Sequence, residues 1–195
     1  MSTAFVLGNG KSRLAVDLDL LKSRGKVYGC NGLYRTFVPD CLVATDRPIA
    51  DEIQNSGYAK QYRFHTRKPI PDLGGQSLDN RYKGYSSGPN ATALACMDGH
   101  ADIMLIGFDL GTTNGMFNNV YVDTKFYKKL LDPPTFAGNW VRQLTELMEE
   151  YEHVTFTRVE GPESAFVKTF NNIPNMRILA MDKFLKMVNT GRGPL

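Results

Sequence analysis

The chain has 195 residues, 42% of them hydrophobic and 22% charged, with a formal net charge of +3. Such a length and composition suit one globular domain with a sizeable core. The charge is too mild to imply a nucleic-acid partner, no apolar stretch approaches the ~20 residues that span a bilayer, and no basic region followed by an apolar core marks a signal peptide.

The first strand covers residues 4–7 and breaks into Gly8-Asn9-Gly10. Lys11-Ser12 follows, and then Leu14, Leu18 and Leu21, whose spacing predicts a helix over 12–24. Strand, glycine turn, helix is how many α/β proteins bring backbone N–H groups up to a phosphate. The glycines let the backbone turn sharply and approach a ligand. A P-loop would need a glycine at Phe5 and a dinucleotide fingerprint one at Arg13, so the turn is of neither type. The plain alternative is a tight turn between strand and helix.

Residues 26–30 and 41–45 read as the second and third strands, and 48–54 as a short helix with Asp46 as its N-cap. Residues 60–64 read as a fourth strand, and 69–84, rich in Gly and Pro, as a long loop. Residues 90–97 form a small-residue helix whose alanines permit close packing on a sheet, and 102–107 a core strand. The polar segment 111–121, with three asparagines and little to anchor it, reads as a mobile lid. Trp140, Val141, Leu144, Leu147 and Met148 make a helical stripe over 140–151. Residues 154–159 alternate like a strand, and 181–188 form a last amphipathic helix. This alternation predicts a single Rossmann-like α/β domain over 1–195, its central, mainly parallel sheet flanked by helices.

In open sheets of this kind ligands bind beyond the carboxyl ends of the strands. Here those ends carry Asn9, Asn31, Asp46 and Asp109. Each alone is an ordinary turn-former; four in register along one rim point to a site.

The three cysteines, Cys30, Cys41 and Cys96, lie in apolar stretches without zinc spacing, which fits buried thiols in a reducing compartment and predicts a cytoplasmic protein. Accordingly the Asn90 sequon carries no meaning for glycosylation. His65 sits in a basic neighbourhood with Arg63, Arg67 and Lys68 and is a candidate base or phosphate contact. His100 reads as a cap on a helix C-terminus, and His153 as a surface residue. Arg63 and Arg67 could hold an anionic substrate through a bidentate fork, or be solvated surface charge. Asp123 and Lys125 could form a local pair. Tyr82, Tyr85, Phe117, Tyr121, Phe126 and Tyr127 surround the two long loops, either to stack a ring or to pin the loops to the core.

Taken in order, Gly8-Asn9-Gly10-Lys11-Ser12, Cys30-Asn31-Gly32-Leu33-Tyr34, Ser86-Ser87-Gly88, Gly107-Phe108-Asp109, and Asn114-Gly115 through Tyr121 to Asp123-Thr124-Lys125 resemble the motifs of bacterial family 42 sialyltransferases. The resemblance covers about residues 4–170. It implies a metal-independent enzyme that binds a cytidine monophosphate sugar. Asn9 and Asn31 would then contact nucleotide and phosphate, and Ser86, Ser87 and Gly88 the base and ribose. Tyr121 would match a lid tyrosine on the leaving phosphate. Gly111 stands where that family has a second phosphate tyrosine, and residues 133–139 hold no histidine where it has its catalytic one.

A second likeness is to 6-hydroxymethylpterin diphosphokinases and motility accessory proteins, through Ala44-Thr45-Asp46-Arg47-Pro48. It implies magnesium held by Asp46, with Asp109 as a second carboxylate. The expectation is therefore a nucleotide or nucleotide-sugar ligand and no cofactor, with magnesium as the alternative. Its site would comprise Gly8, Asn9, Gly10, Ser12, Asn31, Asp46, Ser86, Ser87, Gly88, Asp109 and Tyr121. Tyr121, Asp46 and His65 are the candidates for proton transfer. A catalytically inactive binding or interaction module is the reading from a different class, and the oligomeric state is left open.

Overall fold

A computed structural model describes residues 2–191. It begins with β1 (Thr3–Leu7), a 3-10 turn (Lys11–Ala15), α1 (Leu18–Arg24), β2 (Lys26–Cys30), a second 3-10 turn (Asn31–Arg35) and β3 (Cys41–Ala44). Then come α2 (Arg47–Asn55), α3 (Tyr58–Gln61), β4 (Phe64–Thr66), β5 (Gln76–Ser77), α4 (Ser87–Met97) and β6 (Asp102–Ile106). The chain continues through α5 (Gly138–Glu150), β7 (Thr155–Glu160), a third 3-10 turn (Lys168–Asn172), β8 (Met176–Ala180) and α6 (Met181–Thr190).

The eight strands form one sheet in the order β5-β4-β3-β2-β1-β6-β7-β8, and every pairing is parallel. The fold is a single α/β domain of Rossmann-like type. Both faces are covered, so the central strands read as continuous apolar runs. Within β1, Phe5 and Leu7 pack with Leu21, Ile53 and Phe184 from α1, α2 and α6. Ala4 and Val6 pack on the other face with Ala91, Leu94 and Leu144 from α4 and α5. The alanines of α4 let it lie close across β1, β2 and β3.

The chain winds outward from β1 to β5, then crosses back to place β6 on the other side of β1. Between β1 and β6 the strand order therefore reverses, and that crevice is where an open sheet offers a ligand site.

Several expected elements are corrected. The helix expected over 12–24 divides into a 3-10 turn and α1, because Asp17 caps α1 by accepting from the N–H groups of Asp19 and Leu20. The strand expected over 60–64 is displaced: the chain there first makes α3, entered through Gly57 at φ +81°, and pairs only from Phe64. The expected loop 69–84 contains β5, and β8 was not foreseen. Asp46 stands at the N-cap of α2 without a side-chain cap bond.

Candidate functional site

The turns after β1 and β6 meet glycine to glycine. Gly8 N–H donates to Ile106 O and Gly10 N–H to Gly107 O, each at 2.8 Å. A Cβ on Gly8 would lie 2.5 Å from Gly107 O, and one on Gly10 2.4 Å from Asp109 Oδ2. The glycines of the first turn are thus required by the neighbouring strand end, whatever binds beside them.

Above this junction opens a cavity of about 390 Å³, within the range of small-ligand sites. Its floor is the row of strand ends: Gly8-Asn9-Gly10 after β1, Asn31 after β2, Thr45-Asp46 after β3, Arg67 after β4 and Gly107 to Gly111 after β6. Ser86, Ser87, Gly88 and Pro89 at the start of α4 form one wall. Phe117, Asn118 and Asn119, with Phe136, Asn139 and Trp140, close the other side.

Of the residues singled out in the sequence, Gly8, Asn9, Gly10, Asn31, Asp46, Ser86, Ser87, Gly88 and Asp109 line this cavity. Several of their polar atoms are engaged inside the protein. The Ser87 hydroxyl donates to Asn31 Oδ1 at 2.9 Å and accepts from the N–H of Thr45 at 3.0 Å. Its one proton is committed to Asn31, so the 2.9 Å contact with Thr45 Oγ1 has threonine as donor. Ser87 is thereby saturated and fixes Asn31, which holds a left-handed φ of +53°. Among the described residues nothing accepts from Asn31 Nδ2, which leaves it as a donor for a ligand.

Asn9 is held at both ends of its amide. Oδ1 accepts from Arg13 Nη1 at 2.7 Å, and Nδ2 donates to Cys30 O at 3.4 Å. The Asp109 carboxylate, 3% exposed, accepts from the N–H and hydroxyl of Ser12, from Asn118 Nδ2 and from the Ser164 hydroxyl. It ties together three loops that are distant in sequence. The start of α4 is likewise joined to the middle of α5, by Ser86 N–H donating to Gln143 Oε1 at 2.9 Å.

Three expected site residues lie off the cavity. Ser12 is buried beneath the turn on Asp109. Tyr121 is 8% exposed and its hydroxyl accepts from Arg13 Nη2 at 3.0 Å beneath the first turn. His65 is buried on β4, accepting from Arg63 Nε at Nε2 and bonded to Ser77 O through Nδ1. Burial and then the Arg63 charge push its pKa down and keep the ring neutral.

The lid expectation is corrected too. Segment 111–121 is anchored: Asn118 bonds Asp109, Gly111 O and Glu163 O, Val120 N–H donates to Asn9 O, and Phe117 is buried. Most of the surrounding aromatics pin loops. Tyr82 bonds Glu150, Tyr85 bonds Glu146, and Tyr127 accepts from Gly32 N–H. Phe126 alone of the six is largely exposed.

The remaining charged candidates separate. Arg63 pairs with Asp98, Lys68 is exposed, and Arg67 lines the cavity. Lys125 pairs with Glu52 and not with Asp123, whose carboxylate accepts from Leu130 N–H. The His100 ring bonds Tyr28 and Ser2, and His100 closes α4 only through its backbone N–H, which donates to Ala95 O at 3.3 Å; His153 is exposed as expected. The Asn90 amide is buried, donating to Tyr82 O, Tyr85 O and Ser86 O. All three thiols are buried, which pushes each up to about 12.

Sequence reasoning missed Phe136, Asn139 and Trp140. Trp140 belongs to the apolar stripe of α5, yet it stands at that helix's first turn and only Leu144, Leu147 and Met148 are fully enclosed. Magnesium, implied by the diphosphokinase likeness, does not fit the donor set: Asp109 already accepts four hydrogen bonds within the protein, leaving Asp46 as the one accessible carboxylate among the described residues that line the cavity. Among the described residues no helix is long and apolar enough to cross a membrane.

No protein-family model, curated protein or solved structure matches this chain.

Proposed function

We propose that the chain is a nucleotide-sugar-binding enzyme of glycosyltransferase type, acting on a cytidine monophosphate sugar without a metal. The observation that carries this reading is the cavity itself. At the point where the strand order reverses, it joins the Gly8-Asn9-Gly10 turn, Asn31 and the start of α4 along one rim. Amide donors and a helix N-terminus suit a phosphate. The exposed ring of Phe136 and the half-buried Trp140 offer faces for a base or sugar.

In this reading Asn31 Nδ2 donates to the ligand while Ser87 and Thr45 hold the amide in place. Asn9 acts through its backbone, because its side chain is already bonded at both ends. No histidine lines the cavity; Asp46 is exposed there and is the group placed to take a proton from an acceptor hydroxyl. Calorimetric titration with cytidine mono- and diphosphate, against adenosine and guanosine analogues, tests it. Selective heat with the cytidine series is expected in the presence of chelator. Silence from every nucleotide up to millimolar concentration contradicts it.

A further inference from the structure

Two arginines are buried among the described residues, and their charges are met differently. Arg158 pairs with Glu160 at 2.6 Å. Arg13 meets no carboxylate among the described residues; Asp109, the buried carboxylate of the same junction, is bonded to Ser12, Asn118 and Ser164. The 3-10 turn at Lys11–Ala15, entered through Arg13 N–H on Gly10 O at 3.1 Å, folds the Arg13 side chain back behind residues 8 and 9. There Nη1 donates to Gly8 O at 3.1 Å and to Asn9 Oδ1 at 2.7 Å, and Nη2 to the Tyr121 hydroxyl at 3.0 Å. All three acceptors are neutral, so hydrogen bonds satisfy the guanidinium without cancelling its charge. A buried cation in that state is costly, and an anion brought close to it lowers the cost.

The grip on Gly8 O decides where the next amide points. In a planar trans peptide the C=O and the following N–H are opposed. With Gly8 O turned to Arg13, the Asn9 N–H faces away from it. Asn9 lines the cavity and Arg13 does not, and among the described residues nothing accepts from the Asn9 N–H. The neighbouring amides are all engaged: those of Gly8 and Gly10 on Ile106 O and Gly107 O, that of Lys11 on Asn118 Oδ1 and that of Ser12 on Asp109 Oδ2. The turn therefore keeps one backbone donor open, with a fixed positive charge behind it.

We propose that Arg13 is the positioning residue of a phosphate subsite: by holding Gly8 O it aims the Asn9 N–H into the cavity, and its uncancelled charge serves as counter-charge to the bound phosphate. Resting on the nucleotide reading above, this names the atom that meets the phosphate and the buried group that sets its direction without touching the ligand.

The test titrates cytidine and cytidine monophosphate against the wild type, Arg13→Gln and Arg13→Lys. The wild type is expected to bind the monophosphate about tenfold or more tightly than cytidine, the scale of one charged hydrogen bond. In Arg13→Gln that margin should shrink to about twofold or less, and Arg13→Lys, which keeps the charge, should recover part of it. A structural role alone would weaken both ligands alike and leave their ratio. The wild type also gives a reading that needs no variant to fold: the Asn9 amide proton should move downfield with the monophosphate and stay in place with cytidine, as a donor to an anion does. A margin that survives Arg13→Gln, an Arg13→Lys no better than Arg13→Gln, a wild type without a margin, an equal loss for both ligands, or an Asn9 amide unmoved by the monophosphate overturns the role of Arg13 and leaves nucleoside binding standing. A wild type that binds neither ligand overturns that role together with the nucleotide reading.

Discussion

Arg13 donates from Nη2 to the hydroxyl of Tyr121 at 3.0 Å, joining positions 108 residues apart. The same guanidinium donates from Nη1 to Asn9 Oδ1 and to Gly8 O. Arg13 is 5% exposed and has no carboxylate partner among the described residues. One buried cation therefore sets the Asn9 amide, braces the first turn and receives segment 111–121 at its end. A buried charge left with fewer hydrogen bonds is costly, so each partner matters.

Tyr121→Phe removes the phenolic acceptor and leaves Nη2 without it. The expected result is a loss of roughly 1.5–3 kcal/mol in unfolding free energy by urea denaturation. An unchanged midpoint would show that the Arg13–Tyr121 bond contributes nothing.

Asp109→Asn tests the staple between the first turn, Asn118 and Ser164. The amide keeps one acceptor and adds an NH2 that faces existing donors. A loss of at least about 2 kcal/mol is expected, together with faster amide exchange in 111–121 and 161–165. Wild-type exchange in both segments would mean that other contacts hold them.

Gly8→Ala places a Cβ against the Gly107 backbone, where neither partner can give way easily. The expected cost is about 1–3 kcal/mol. Gly84, with nothing within 4 Å of a Cβ, is the control. Gly84→Ala should be neutral or slightly stabilising, by up to about 1 kcal/mol. Equal melting temperatures for the two variants would count against the glycine-to-glycine junction.

The pH dependence follows from His65. Burial, reinforced by Arg63, lowers its folded pKa below the unfolded value of about 6.5. Below that unfolded value the unfolded chain binds the proton more readily than the native one, so stability rises with pH there. The contribution is complete above about 6.5 and is lost as pH falls toward the folded pKa. Denaturation of wild type and His65→Gln between pH 5 and 8 should show a difference that changes below about 6.5 and is constant above it. A difference independent of pH would mean that the ring's protonation does not differ between the two states.

The central strands were legible because 4–7, 26–30, 41–45 and 102–107 are apolar runs bounded by turn residues, as a sheet covered on both faces requires. What failed was short or solvent-facing. The four residues of α3 are too few to show a helical period, and Arg177, Ile178 and Ala180 of β8 are exposed, so that edge strand has no alternation to read. The glycine turn and strand-end polarity placed six candidates on one cavity and the resemblance added Ser86, Ser87 and Gly88, yet neither could tell which atoms remain open to a ligand. Ser87 is saturated by Thr45 and Asn31, and Asp109 by Ser12 and loops far along the chain. Partnerships across 42 or 97 residues leave no local pattern. Arg13 was considered only as a missing glycine, and its burial under the turn is a tertiary fact.

The most direct test of the nucleotide site is hydrogen exchange with and without saturating cytidine monophosphate. Slowed exchange is expected at residues 8–10, 31–32 and 86–88, around the single cavity that joins them, with the far ends of the strands unaffected. Protection confined to other surfaces, or no change anywhere at a concentration where binding heat is complete, would contradict the account.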